Sequence, residues 1–278
     1  MTSVETPPAA AEPREESEDW SIAKAKALYN IDGWGAGYFD VSEGGRVVVR
    51  PDGDHAGRTL DLYDLAKDLQ EQGVGLPVLL RFSDILRSRI ESLSERFAAA
   101  VREFEYGGGY TTVYPIKVNQ QRHVLEEIVQ FGSAHGVGLE CGSKPELQAV
   151  LGLTESSEHL IVCNGYKDEE FMRLALMGQK LGHRVFIVVE QLSEVDVLLA
   201  AANDLGVQPM AGVRIKLSSE GAGRWAQSGG ERSKFGLNAA QVMKLIDRLR
   251  AADRLDLLQL IHFHIGSQVT DIRYIKSA

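Results

Sequence analysis

Cysteine is scarce: the 278 residues hold two, Cys141 and Cys163. They form no CxxC and no zinc-ligand spacing, which leaves out a disulfide scaffold and a zinc module. Both fall at the ends of β-prone runs and read as buried free thiols in a reducing cytosol. Long apolar runs are missing too. None approaches the roughly 18 residues a membrane span needs. No excess of positive charge is present, since the net charge is −9. That argues against a nucleic-acid or anionic-membrane surface. An apolar stretch near the start is also lacking, so no secretory signal is expected there. Residues 1–19 instead concentrate acids (Glu5, Glu12, Glu15, Glu16, Glu18, Asp19) against Arg14, with Pro7, Pro8 and Pro13. They read as a disordered acidic tail.

What the chain does have is enough apolar residues, 44%, for a large core. Residues 20–108 read as an α+β segment. A short helix is expected over Ser21 to Tyr29, then strands over Trp34 to Asp40 and Arg46 to Arg50. Thr59 to Gln72 reads as a helix and Leu76 to Phe82 as a strand. Ser83 is placed to cap a long helix whose stripe is Leu86, Ile90, Leu93, Phe97, Val101 and Phe104.

After Gly107-Gly108-Gly109 the texture changes. Short β-prone runs alternate with helical patterns, and the runs end at Lys117, Glu140, Asn164, Glu190 and Arg214. These ends recur about every 24 residues, the mark of a repeated βα unit. A sixth run, Leu257 to Ile265, follows a longer interval filled by an insert and a helix over Ala239 to Ala251. A polar or ionisable residue at nearly every strand end, at constant phase, points to one functional rim. The expected fold class is therefore α/β, an incomplete (β/α)8 TIM-type barrel of about six units over residues 109–278. An open doubly wound sheet alternates in the same way and is the competing architecture. Its dinucleotide fingerprint has one poor match, Gly221 to Ala226, which opens no clear helix.

Thr112 to Gln120 is the run around which the chain is organised. Its Lys117 stands at the end of a strand and just before a helix, where α/β barrels keep their chemistry. A desolvated lysine amine is a nucleophile for carbonyl compounds. A solvated surface lysine is the alternative. His262 and His264 lie two apart on a strand and point to one face. They suit a metal poorly, for no third ligand stands at a recognisable spacing. Glu190 reads as a helix N-terminal neighbour, Asn164 as a cap, and Glu140 with Arg214 as a buried pair. The insert from Ser218 to Phe235 contains Trp225 and paired glycines and reads as a functional or surface loop.

Three segments carry a resemblance. Tyr114-Pro115-Ile116-Lys117-Val118-Asn119-Gln120 resembles the cofactor-lysine motif of the alanine-racemase-like, pyridoxal-phosphate-dependent decarboxylases. Gly138-Leu139-Glu140-Cys141-Gly142-Ser143-Lys144-Pro145-Glu146-Leu147 is similar to their second strand. Ile261-His262-Phe263-His264-Ile265-Gly266-Ser267 is similar to the strand whose histidine covers the cofactor ring. Tyr29 to Phe39, Ile161 to Lys167 and Ser228 to Gly236 resemble the branch that decarboxylates arginine.

The resemblance implies that Lys117 holds pyridoxal phosphate covalently, that His264 stacks on its ring and that Ser267 donates to its phosphate. It implies that Glu140 and Arg214 form an ion pair beneath the lysine. L-arginine would be the substrate, and agmatine and carbon dioxide the products, opening a route to polyamines. A decarboxylase for ornithine or diaminopimelate, or a non-catalytic relative, are the alternatives. The resemblance further implies a homo-oligomer with shared active sites, magnesium at an unassigned site, and residues 20–108 docking on a C-terminal β domain. The sequence stops at Ala278 inside a helical pattern without a stop signal. The expectation is a fragment of a longer protein, inactive and aggregation-prone alone.

Overall fold

The structure is a computed structural model that describes residues 20–51, 53, 57–154, 159–217, 233–266 and 272–277. The acidic tail, the Gly221 to Ala226 match, Trp225 and Ser267 lie outside the described residues. Two compact units are present, Met1–Ser88 and Arg89–Ala278.

In the first unit, helix α1 (Ile22–Leu28) starts where the Ser21 side chain accepts from the Lys24 N–H. A second helix, α2 (Ile31–Gly35), takes part of what the sequence suggested as a strand. The aromatic content there favours β structure, but local geometry wins. Asn30 and Ala36 bound the helix in left-handed conformation, and the Trp34 indole donates to the Tyr29 carbonyl at 3.0 Å. Strands β1 (Phe39–Val41), β2 (Val47–Val49) and β3 (Leu60–Asp61) form an antiparallel sheet in that order.

Helix α3 (Leu62–Glu71) follows directly, because Asp61 accepts from the Tyr63 and Asp64 N–H groups. Leu76 to Phe82 forms no strand. Pro77 lacks a donor for a ladder, and Leu79 is 75% exposed with no sheet to cover it. Helix α4 (Ser83–Glu103) runs as the stripe predicted. Of that stripe Ile90 is buried, while Leu93, Phe97 and Phe104 stay exposed.

The second unit is built on six parallel strands: β4 (Val113–Pro115), β5 (Gly138–Cys141), β6 (Leu160–Cys163), β7 (Arg184–Val189), β8 (Met210–Arg214) and β9 (Leu258–His262). Their spatial order is their sequence order. A doubly wound sheet reverses its order at a switch point; this one never does, so the barrel expectation holds. Helices α5 (Arg122–Gly132), α6 (Lys144–Leu153), α7 (Glu169–Lys180), α8 (Glu194–Leu205) and α9 (Ala239–Ala251) follow successive strands, with α10 (Arg273–Ser277) after β9.

Helix α6 packs on α7, α7 on α8 and α8 on α9, as helices in one outer layer do. Asn238 and Gln241 close a capping box at the start of α9.

Register explains why one face is a core and the other a site. Pro115 pairs with Glu140, Glu140 with Val162, Val162 with Phe186, and Arg214 with His262. With period two, all of these point away from the helices. The opposite parity, including Leu139, Ile161, Val185, Ile187 and Val213, is buried under them. Cys141 and Cys163 share that buried side, free and 3.7 Å apart at paired positions. The hydrogen bond between the thiols and their burial push the Cys141 thiol far up, so it is inert. Gly138 lets β5 and β6 approach: a Cβ there would meet the Leu160 carbonyl oxygen at 2.4 Å.

Candidate active site

The unclosed barrel holds a cavity of about 920 Å³, lined from all six strands. Its polar lining is Lys117, Glu140, Glu146, Asn164, Glu190, Arg214, His262 and His264, together with Thr111. The strand-end residues that the repeat singled out therefore converge. Pro115 ends the β4 ladder, and Lys117 follows on a 3₁₀ turn, Ile116–Val118, rather than on the strand itself. Lys117 is exposed at the cavity it lines.

Glu140 is buried and accepts from the Asn164 amide at 3.2 Å. Burial pushes its carboxyl pKa up, and the positive charge of Lys117 pulls it partly back.

One expectation is corrected here. Arg214 does not pair with Glu140. Its Nη1 donates to Glu190 at 3.3 and 3.4 Å. The reason is strand order: β7, which Glu190 directly follows, adjoins β8, whereas β6 and β7 separate β5 from β8. Glu190 is fully buried and Arg214 half-buried, their side chains being 0% and 14% exposed. Glu190 also accepts from the Gly165 N–H at 2.7 Å. Gly165 has φ +77°, and a Cβ there would lie 2.6 Å from the Gly142 carbonyl oxygen. That turn is thus reserved for glycine.

The Phe235 ring covers Arg214, with Cζ 5.3 Å from its centroid. Tyr166 packs beside Phe235 and donates to the Lys234 carbonyl at 2.5 Å, which fixes that wall of the cavity.

Both histidines line the cavity, His262 as the last residue of β9 and His264 two residues beyond the strand rather than on it. Burial, then the charge of Arg214, lowers both; His262 falls to about 4, and Lys117 also acts on His264. Two buried polar atoms on the cavity lack a partner among the described residues, His262 Nδ1 and Asn164 Oδ1. Among the described residues no group of three His, Cys, Asp or Glu side chains is arranged to hold a metal ion. Nor is any helix among them long and apolar enough to cross a membrane.

Asn164, Glu190 and Phe235 were not singled out as site residues from sequence. The signal for the first two was present, since both sit at the strand-end phase of Lys117 and Glu140. Phe235 lies on no strand or helix, so no periodicity marks it.

The low pKa of His262 has a measurable consequence. As pH falls through 6.5, an unfolded chain protonates this histidine, while the folded chain resists until about 4. Stability present above pH 6.5 is therefore lost between 6.5 and 4. His264 adds to the loss; Glu140, with its raised carboxyl, opposes it. In His262→Gln the drop between pH 7 and pH 4.5 is smaller than in the parent by about 1–2 kcal/mol, after discounting for solvent screening. Denaturant unfolding at the two pH values measures it. Equal drops in both proteins contradict a neutral, half-buried His262.

Comparison with known proteins adds to this geometry. A family model described as "Pyridoxal-dependent decarboxylase, pyridoxal binding domain" matches residues 90–278. The chain is 54% identical over 258 residues to a biosynthetic arginine decarboxylase of Alkalilimnicola ehrlichii, covering 93% of this chain and 41% of the relative. It is 49% identical over 266 residues to one from Nostoc sp., covering 96% and 39%. Among solved structures, the biosynthetic arginine decarboxylase of Campylobacter jejuni superposes with a TM-score of 0.78 at 30% identity, covering 90% of this chain and 40% of that one. Diaminopimelate decarboxylase from M. jannaschii, at 24% identity and TM-score 0.60 over 86% and 50%, shares the fold. The chain spans about two fifths of the length of the curated relatives it matches.

Proposed function

We propose, from the premise that this chain belongs to the pyridoxal-dependent decarboxylases, that its cavity holds pyridoxal phosphate on Lys117 and that the protein converts L-arginine to agmatine and carbon dioxide. The observation that carries the reading is the meeting of Lys117, Glu140 and His264 in one cavity at the C-terminal rim of the strands. The cavity suits such a group. Its volume is of the size that small cofactors occupy. Two buried atoms, His262 Nδ1 and Asn164 Oδ1, offer polar contacts that no group among the described residues takes.

When bound, pyridoxal phosphate supplies an electron-poor ring that takes up the electron pair left as carbon dioxide departs. The chain's own groups do the rest. Lys117 offers the amine that holds the aldehyde. Glu140, fixed by Asn164, sets a negative field toward that amine. His264, lowered by burial and by neighbouring cations, offers an uncharged imidazole to a ring face. Arg214 is held by Glu190 and covered by Phe235, so its charge is fixed in place rather than swinging into the cavity.

Arginine as substrate rests on the relatives' names. The test is carbon dioxide trapped from labelled arginine, ornithine and diaminopimelate supplied in turn to the full-length protein. Release from arginine alone is the expected result; release from either of the others instead refutes the substrate. The same reading makes the protein a cytoplasmic homo-oligomer that uses magnesium. Sedimentation of that protein tests the assembly, and activity after chelation tests the metal.

A further inference from the structure

Two ionised groups outside the cavity account for the posture of groups inside it. The side chains of Lys167 and Glu194 are 0% and 4% exposed, and neither lines the cavity. Glu194 opens α8 and turns its carboxylate back from the helix. One oxygen accepts from the Lys167 N–H at 2.9 Å, and the other accepts from the Glu190 N–H at 2.9 Å. A single carboxylate thereby ties the turn after β6 to the end of β7. The Lys167 ammonium lies 3.3 Å from that carboxylate and also donates to the Gly165 carbonyl. Burying either ion alone is costly; as a pair their charges cancel.

Both tied segments carry cavity groups. The turn after β6 begins with Asn164, whose amide holds Glu140, and Gly165, whose N–H holds Glu190. Directly after β7 comes Glu190 itself, which holds Arg214. We propose that Glu194 and Lys167 are positioning residues for the cavity: a charge-neutral brace that keeps Asn164 on Glu140 and Glu190 on Arg214. Through Glu140 the brace sets the field at Lys117. The carboxylate is required because only an ionised acid offers two acceptor oxygens. A glutamine at 194 has one, so either the Lys167 or the Glu190 N–H loses its partner.

The inference rests on the uptake of pyridoxal phosphate proposed above. It is tested on the full-length protein by following the absorbance of the Lys117–pyridoxal phosphate adduct against pH and against cofactor concentration. In Glu194→Gln and in Lys167→Met, affinity falls roughly tenfold or more, as loss of a buried hydrogen bond to a charged group predicts. The pH midpoint of the adduct moves by about one unit, because Glu140 no longer faces Lys117 in the same way. The double variant Lys167→Met/Glu194→Gln buries no lone ion, so it folds where a single variant does not; its midpoint is still displaced.

Unchanged affinity and midpoint in variants that unfold at the parent temperature overturn the brace and leave an ordinary core pair. A parent protein that takes up no pyridoxal phosphate removes the proposed function, and the brace with it. Uptake by the parent with unaltered variants removes the brace alone.

Discussion

Replacing Lys117 by alanine abolishes covalent uptake of pyridoxal phosphate. After incubation with the cofactor and reduction by borohydride, the parent protein gains one pyridoxyl group on the peptide that contains Lys117, and the variant gains none at any cavity residue. The size of the effect follows from the competition among amines. Among the described residues Lys117 is the only lysine lining the cavity. Lys144 is on the surface, where hydrogen bonds to Asp168 and Glu170 raise its pKa and keep it protonated. Lys167 is buried against Glu194, away from the cavity. Neither can replace an amine placed at the mouth of the site, so the loss is complete rather than partial. Lys117→Arg behaves like the alanine variant, because a guanidinium does not give up its proton. Label recovered on another residue in the parent protein, or undiminished label in the variant, ends the assignment of the cofactor to this side chain.

How far this site can be read from sequence differs between its parts, and the difference has a physical cause. Lys117, Glu140, Asn164, Glu190 and Arg214 are legible because a parallel strand has a strict period of two and every βα unit ends at the same rim. Once Val162 is placed inside, Asn164 must follow it there. Hydrogen-bond partners are less legible, since long side chains lean toward whichever neighbour is nearest. The Arg214 pairing shows this. The family motifs suggested Glu140, while the sequential strand order brings Glu190 beside Arg214 instead.

Phe235 belongs to no strand or helix, so it leaves no periodic trace. The first unit was the hardest to read. Around Trp34 the aromatics favour a strand, yet Asn30 and Ala36 in left-handed conformation close a short helix instead. Leu76 to Phe82 has the composition of a strand, but Pro77 and the lack of a pairing neighbour keep it out of a sheet. Composition describes what a segment tolerates; ladder partners decide what it becomes.

Cutting the Arg214–Glu190 pair is expected to cost more than any surface change. In Arg214→Met the Glu190 carboxylate, 0% exposed, keeps only the Gly165 N–H as a donor. Removing one partner of a buried pair typically destabilises by about 3–5 kcal/mol, because the remaining charge is left unbalanced in a medium that solvates it poorly. Glu190→Gln leaves Arg214 partly exposed and still covered by Phe235, so its penalty is smaller, about 1–2 kcal/mol. The double variant Arg214→Met/Glu190→Gln buries no lone ion and recovers most of the larger loss. Denaturant unfolding of the four proteins measures the cycle and gives a coupling of about 2 kcal/mol or more. Additive single effects, or a methionine variant within 1 kcal/mol of the parent, would mean that water reaches Glu190 and that the pair does not anchor this side of the cavity. The same cycle separates stability from function. The double variant folds yet lacks both the Arg214 charge that lowers His262 and the Glu190 charge that raises it, so these two effects on His262 oppose each other; His264, which Arg214 lowers and Glu190 does not touch, is the imidazole relieved. The acid-side loss of stability then shrinks through His264, which reports on the charge of Arg214.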